Sequence, residues 1–115
     1  MTFTELFAGV PVRDRDAAFV WYERVLGAAP DFHPHDEEAV WRVAGGWIYV
    51  VVDGERAGNA LVTVLVDDLD TQLEALAVRG IDAGPVELLA GGRTRRAVVV
   101  DPDGNRIAFG QAGRR

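Results

Sequence analysis

Two hydrophobic periods alternate along the chain. From Phe7 to Val12 two sets interleave, Ala8, Val10 and Val12 against Phe7, Gly9 and Pro11, as in a strand with two unlike faces. Phe19, Tyr22 and Leu26 then recur at helical spacing, and Leu69, Leu73 and Leu76 do so again later. Asp14 or Asp16 ahead of the first helix, and Asp68 or Asp70 ahead of the second, can accept hydrogen bonds from free first-turn amides. Gly27 and Gly80 end the helices by taking the left-handed conformation that a Cβ penalises.

The pattern is a repeat. A shift of 54 residues sets Val10, Val12, Asp14, Asp16, Phe19 and Tyr22 on Val64, Val66, Asp68, Asp70, Leu73 and Leu76. Short β-rich segments follow each helix. Residues 39–44 and 47–53 flank Gly45-Gly46, a two-residue hairpin link, and residues 84–90 and 94–101 flank Gly91-Gly92. Asp101-Pro102-Asp103-Gly104 predicts a type I turn into a last strand over 105–110. The expected organisation is one domain over 1–115, with a βαβββ module at about 5–53, a connector at 54–59 and a second βαβββ module at about 60–110.

One helix covers one face of a four-stranded sheet, so the other face must meet a partner or enclose something. The expected fold is therefore α+β: two tandem modules forming a cupped mixed sheet with helices on the convex side. Alternation turns Phe7, Gly9 and Pro11, and Leu61, Thr63 and Leu65, to the concave side, while Val62, Val64 and Val66 pack under the second helix. In the strand from Trp47, the all-aliphatic set Ile48, Val50 and Val52 suits the helix side and leaves Trp47, Tyr49 and Val51 opposite. Trp41, Trp47 and Tyr49 flank the glycine pair and read either as an aromatic slot for a flat ligand or as a core or dimer contact. Trp21 lies off the helical stripe and is expected to be exposed or at an interface.

Composition narrows the chemistry. The 115 residues contain no serine, lysine or cysteine, which excludes serine-triad and thiol nucleophiles, Schiff bases, a phosphate-loop lysine, disulfides and cysteine zinc sites. A net charge of −6 argues against nucleic acid, yet residues 93–115 hold six arginines against two aspartates, a local +4 that leaves −10 elsewhere. Arg93, Arg95 and Arg96 can meet an anionic ligand, although a solvated strand edge is the plainer reading. No apolar run approaches the roughly 18 residues of a membrane span and no leader pattern opens the chain, so no membrane partner and a cytoplasmic location are expected. His33-Pro34-His35 with Asp36, Glu37 and Glu38 is rich in metal donors, but its place after the first helix reads as a solvated acidic edge. The Asp101–Asn105 turn is no calcium loop, its glycine falling fourth instead of sixth.

Taken together, Val10-x-Val12-x-Asp14, Phe19-x-x-Tyr22-x-x-x-Leu26-Gly27, Val64-x-Val66-x-Asp68-Leu69-Asp70 and Asp101-Pro102-Asp103-Gly104-Asn105 resemble the vicinal oxygen chelate superfamily, over roughly residues 5–110. That group includes glyoxalase I, bleomycin-resistance proteins, extradiol dioxygenases and fosfomycin-resistance enzymes. The resemblance implies the glyoxalase/bleomycin-resistance fold and, in many members, a divalent metal held by His, Glu or Gln near the start of the first strand and on the last strand of each module. Those positions are Phe7, Leu61, Tyr49 and Ala108 here, and one phenol beside three hydrocarbon side chains is not a donor set for such an ion. No metal, no cofactor and no catalytic residue is therefore expected. The function expected is metal-independent binding, with antibiotic-resistance-type sequestration of an aromatic or drug-like molecule in a cavity lined by Phe7, Trp41, Trp47, Tyr49, Leu61, Thr63 and Ala108. Antibiotic-binding relatives place the pocket between subunits, so the resemblance implies a homodimer, and net acidity would attract a cationic ligand. The alternative is an enzyme of the superfamily: a lyase, isomerase or dioxygenase with a displaced metal site, or a metal-free isomerase using Tyr49 or a carboxylate as acid or base. A third is a scaffold whose cavity is filled by its own aromatic rings.

Overall fold

The computed structural model describes residues 1–113; Arg114 and Arg115, which belong to the basic tail, lie outside the described residues. The elements run β1 (Phe7–Val12), α1 (Arg15–Leu26), β2 (Phe32–His35), β3 (Glu38–Val43), β4 (Gly46–Val52), β5 (Leu61–Leu65), α2 (Leu69–Val78), β6 (Glu87–Leu89), β7 (Thr94–Val100) and β8 (Arg106–Ala112). They form two four-stranded mixed sheets, ordered β1-β4-β3-β2 and β5-β8-β7-β6. In each sheet the first strand pairs parallel with the last and the remaining pairs are antiparallel. Both halves are thus βαβββ, as the repeat implies.

The helix signals operate where the sequence places them. Asp14 accepts from the Ala17 amide at 3.1 Å and Asp68 from the Thr71 amide at 3.2 Å, while Asp16 and Asp70 sit in the first turns. Gly27 closes α1 at φ 76, and α2 ends at Arg79 with Gly80 following at φ 80. Val10, Val12, Trp41 and Val50 of sheet one are buried with Tyr22 of α1, and Val99, Ile107 and Phe109 of sheet two with Leu69 and Leu76 of α2, in one continuous hydrophobic core.

Several expectations change. The β3–β4 link is Ala44-Gly45, with Val43 facing Gly46, so Gly45-Gly46 is displaced by one residue and Ala44 takes φ 52. Gly91-Gly92 closes a short 3₁₀ turn (Ala90–Gly92) between β6 and β7, so it matches the β2–β3 connection; the counterpart of Ala44-Gly45 is the Asp101–Asn105 turn. The strand predicted over 84–90 shrinks to β6, and the last strand is shifted toward the C-terminus. Trp21 is half-buried, its ring edge-on to Tyr22 at 4.8 Å, because α1 also packs on that flank.

The Asp101–Asn105 turn is more than a link. Asp101, 4% exposed, accepts from the amides of Asp103 and Asn105 and, at 2.8 Å, from the Tyr22 hydroxyl of α1. The buried Asn105 amide donates to the Pro11 carbonyl and to Asp101, and its oxygen accepts from the Ala60 amide. Asp103 receives the Arg13 amide and guanidinium. Module two is thereby bonded to both β1 and α1 of module one. Burial and the adjoining Asp101 carboxylate push the Tyr22 hydroxyl's pKa far above that of an ordinary phenol.

Candidate functional site

Register decides which side chains share a face. Phe7 lies opposite Trp47 and Gly9 opposite Tyr49, and across β4 Arg42 lies opposite Trp47 and Val40 opposite Tyr49. These residues stand on the face of sheet one that carries no helix. The Phe7 and Trp47 rings stack at 5.7 Å and 9°, Phe32 meets Trp47 edge-on at 5.7 Å, and Tyr49 tilts toward Phe7 at 6.4 Å. The Arg42 guanidinium lies over the Trp47 ring, 4.7 Å from its centre, and the indole N–H of Trp47 donates to Glu5 at 3.0 Å. Gly9 is required by this shelf: a Cβ there would come within 2.5 Å of Tyr49 Cζ.

Sheet two presents a different open face. Leu61, Thr63 and Leu65 lie opposite Arg106, Ala108 and Gly110, which in turn face Val100, Val98 and Arg96. Leu61 is 72% exposed and Phe7 48%, whereas Ala108 is buried among its neighbours. Phe7, Trp47 and Tyr49 therefore form one group and Leu61, Thr63 and Ala108 another, on separate sheets. Trp47 and Thr63 also line a common hollow of about 410 Å³ between the β3–β4 hairpin and β5.

Trp41 belongs to neither group. It lies opposite Ile48 on the helix side, is 2% exposed, and donates its indole N–H to the Ala28 carbonyl at 2.9 Å. It is a core residue, because residues opposite one another in an antiparallel pair share a face. Conversely, Phe32, Arg42 and Glu5 join the shelf although none stood out in the sequence. Phe32 is opposite Val40 and so shares its face.

The metal positions can now be tested against geometry. Phe7 and Tyr49 share one open face and Leu61 and Ala108 the other, with Tyr49 and Ala108 at equivalent registers. One phenol, one phenyl ring, an isobutyl group and a methyl do not make a donor set for a divalent ion. Among the described residues no three His, Cys, Asp or Glu side chains converge as a metal-holding group. His33 packs on Phe19 at 5.7 Å with its Nδ1 against the Glu38 carbonyl, and His35 pairs with Glu38 at 3.2 Å. The arrangement offers stacking, burial and cation–π contact.

The solved structure of a glyoxalase/bleomycin resistance protein from Catenulispora acidiphila DSM 44928 superposes with a TM-score of 0.89 at 45% identity, over 96% of this chain and 99% of that one. The chain belongs to the glyoxalase/bleomycin resistance protein family. A bleomycin-binding protein in complex with bleomycin is similar at 21% identity and TM-score 0.76, over 93% of this chain and 97% of that one. A lactoylglutathione lyase from Agrobacterium tumefaciens is similar at 16% identity and TM-score 0.76, over 92% and 91%. These two likenesses establish the fold alone, and one fold carrying both a binder and a lyase does not choose between them. No protein-family model matches the chain, and no curated protein matches it. No helix among the described residues of this family member is long and apolar enough to cross a membrane.

Proposed function

We propose that this member of the glyoxalase/bleomycin resistance protein family binds a small aromatic or drug-like molecule without a metal ion. The observation that carries the reading is the shelf of Phe7, Trp47 and Tyr49 on a helix-free sheet face, half-exposed, with Phe7 and Tyr49 standing at positions where metal-dependent members would need imidazole or carboxylate. Planar ligands gain most from such a surface, through stacking and removal of apolar area from water. The bleomycin-bound neighbour supports the same direction. Phe7, Leu61 and Leu65 remain exposed on the open faces, and we propose that a second copy of the chain covers them, closing a site built from both sheets.

Tryptophan fluorescence and thermal unfolding against planar aromatics, matched aliphatics and divalent ions test this. A ligand at a hundred times its Kd should stabilise the protein by about 2.7 kcal/mol, and aliphatics or ions should not. Phe7→Ala should weaken the aromatic ligand by about tenfold, the loss of one stacking surface. Stabilisation by a stoichiometric divalent ion, or indifference of the aromatic ligand to Phe7→Ala, would sink the reading. Light scattering should return twice the chain mass.

A further inference from the structure

The open face of sheet two carries charge that aromatic binding does not use. Arg96 on β7 and Arg106 on β8 stand on that face, separated by the Val98–Ala108 pair. Both line a cavity of about 480 Å³ whose remaining wall is Gly58, Asn59, Ala60, Leu61, Val98 and Gly104. No carboxylate lines it among the described residues. Asp82 and Glu87 border the neighbouring hollow, which shares Val98 and Arg106. Glu87 reaches Arg96 Nη2 at 3.2 Å and leaves the buried Arg96 Nε without a hydrogen-bond partner. Arg106 has no acidic partner among the described residues, whereas Arg95, one position along on the helix side, is held by Asp70 at 2.9 Å.

Two guanidinium groups brought to one cavity repel each other, and a buried N–H with no acceptor lowers stability. An oxyanion in the cavity relieves the repulsion and matches the planar fork of either arginine. Leu61 and Val98 supply an apolar wall beside it. We propose that the Arg96–Arg106 cavity binds the oxyanion, carboxylate or phosphate, of a small ligand whose apolar body lies against Leu61 and Val98. The inference rests on the ligand-binding reading and deepens it. The ligand is an anion, because the charge of this cavity, not the net charge of the chain, is what a bound group meets.

Calorimetric titration of the full chain with a naphthalene carboxylate, the matching carboxamide and inorganic phosphate tests the proposal. The carboxylate should bind about tenfold more tightly than the carboxamide, a preference that salt weakens. Arg106→Gln and Arg96→Gln, checked for unchanged folding by circular dichroism, should each remove most of that preference, weakening the carboxylate far more than the carboxamide. Arg96→Lys should restore only part of it, since a point charge lacks the fork. Equal binding of acid and amide, or a preference that survives both glutamine variants, overturns the proposal. If the carboxamide binds in a Phe7-dependent way without any acid preference, the arginine site falls and the aromatic reading stands. If phosphate alone binds and is lost with Arg106→Gln, the arginine site stands and the aromatic reading falls. Silence toward all three probes refutes both.

Discussion

The two open faces share a backbone plan and almost nothing else. Matching the registers sets Phe7 on Leu61, Gly9 on Thr63, Trp47 on Arg106, Tyr49 on Ala108 and Glu38 on Arg96. The helix-facing sides of the same strands are apolar at matched core positions, Val10 on Val64, Val12 on Val66, Ile48 on Ile107, Ala39 on Ala97 and Val50 on Phe109, with Arg95 and Gln111 polar only at the strand ends. Close packing under a helix admits only hydrocarbon of suitable volume. The open side has no such constraint, so one module carries a ring shelf and the other aliphatic groups with two arginines. Rings on one sheet and guanidinium groups on the other suit unlike parts of a ligand.

The two faces are held in fixed relation by the bonds between the modules, and the sharpest way to break the comparison is at that joint. Asp101 holds two amides of its own turn, the Tyr22 hydroxyl and the Asn105 side chain; the matching turn, Ala44-Gly45, makes no comparable network. Asp101→Ala leaves those buried donors without their acceptor and should cost about 3–5 kcal/mol. Gly45→Ala, into open space at a φ outside the left-handed region, should change stability by less than about 0.5 kcal/mol. Urea midpoints at constant slope read both.

Removing one strand of the joint sharpens the point and adds a pH signature. Tyr22→Phe deletes a buried hydrogen bond to a carboxylate and should cost about 1.5–3 kcal/mol at neutral pH. The Tyr22 hydroxyl's pKa is raised in the folded protein, chiefly by burial, so its contribution is intact below the unfolded phenol value of about 10 and is lost as pH rises above it. Only the unfolded state then releases the proton, and stability should fall by up to about 1.4 kcal/mol per pH unit. The chain has no lysine and two tyrosines, so few other groups titrate in that range. Phe at position 22 should flatten the alkaline limb; an unchanged limb in the variant would show that another group produces it.

The fold was legible because its signals are local and repeated. Asp14 and Asp68 cap the helices, and alternation in β1 and β5 assigns Phe7 and Leu61 to the open faces. The site was legible only in part, since it depends on pairing between strands. Trp41 stands near the same turn as Trp47, and nearness along the chain groups the two rings. Either possible turn nevertheless sets Trp41 opposite a helix-facing residue, Ile48 in the event, and so into the core. Phe32 reaches the shelf through β2, whose register shifts between Phe32 and His35, a feature that short-range pattern does not carry. The Asp101–Asn105 turn read as a turn and is one; its bonds to Tyr22 and Pro11 span 79 and 94 residues of sequence, beyond any local signal.

The smallest expected effect separates the two faces most cleanly. Gly9 and Thr63 hold equivalent positions, yet Gly9 lies under the Tyr49 ring while Thr63 lies opposite the methyl of Ala108. A Cβ at position 9 meets Tyr49 Cζ and Oη, the far end of a side chain that can swing aside, so the backbone need not move. Gly9→Ala should therefore cost only about 1 kcal/mol in thermal unfolding, at the low end of overpacking effects. Thr63→Ala, on an exposed face, should cost less than about 0.5 kcal/mol. Ligand binding should magnify the contrast. Displacing the Tyr49 ring should weaken aromatic binding at the shelf and leave the acid-over-amide preference intact, because that preference is set by Arg96 and Arg106 on the other sheet. A changed preference in Gly9→Ala would mean that ring shelf and arginine cavity are not independent, and the division of labour between the two faces would fail.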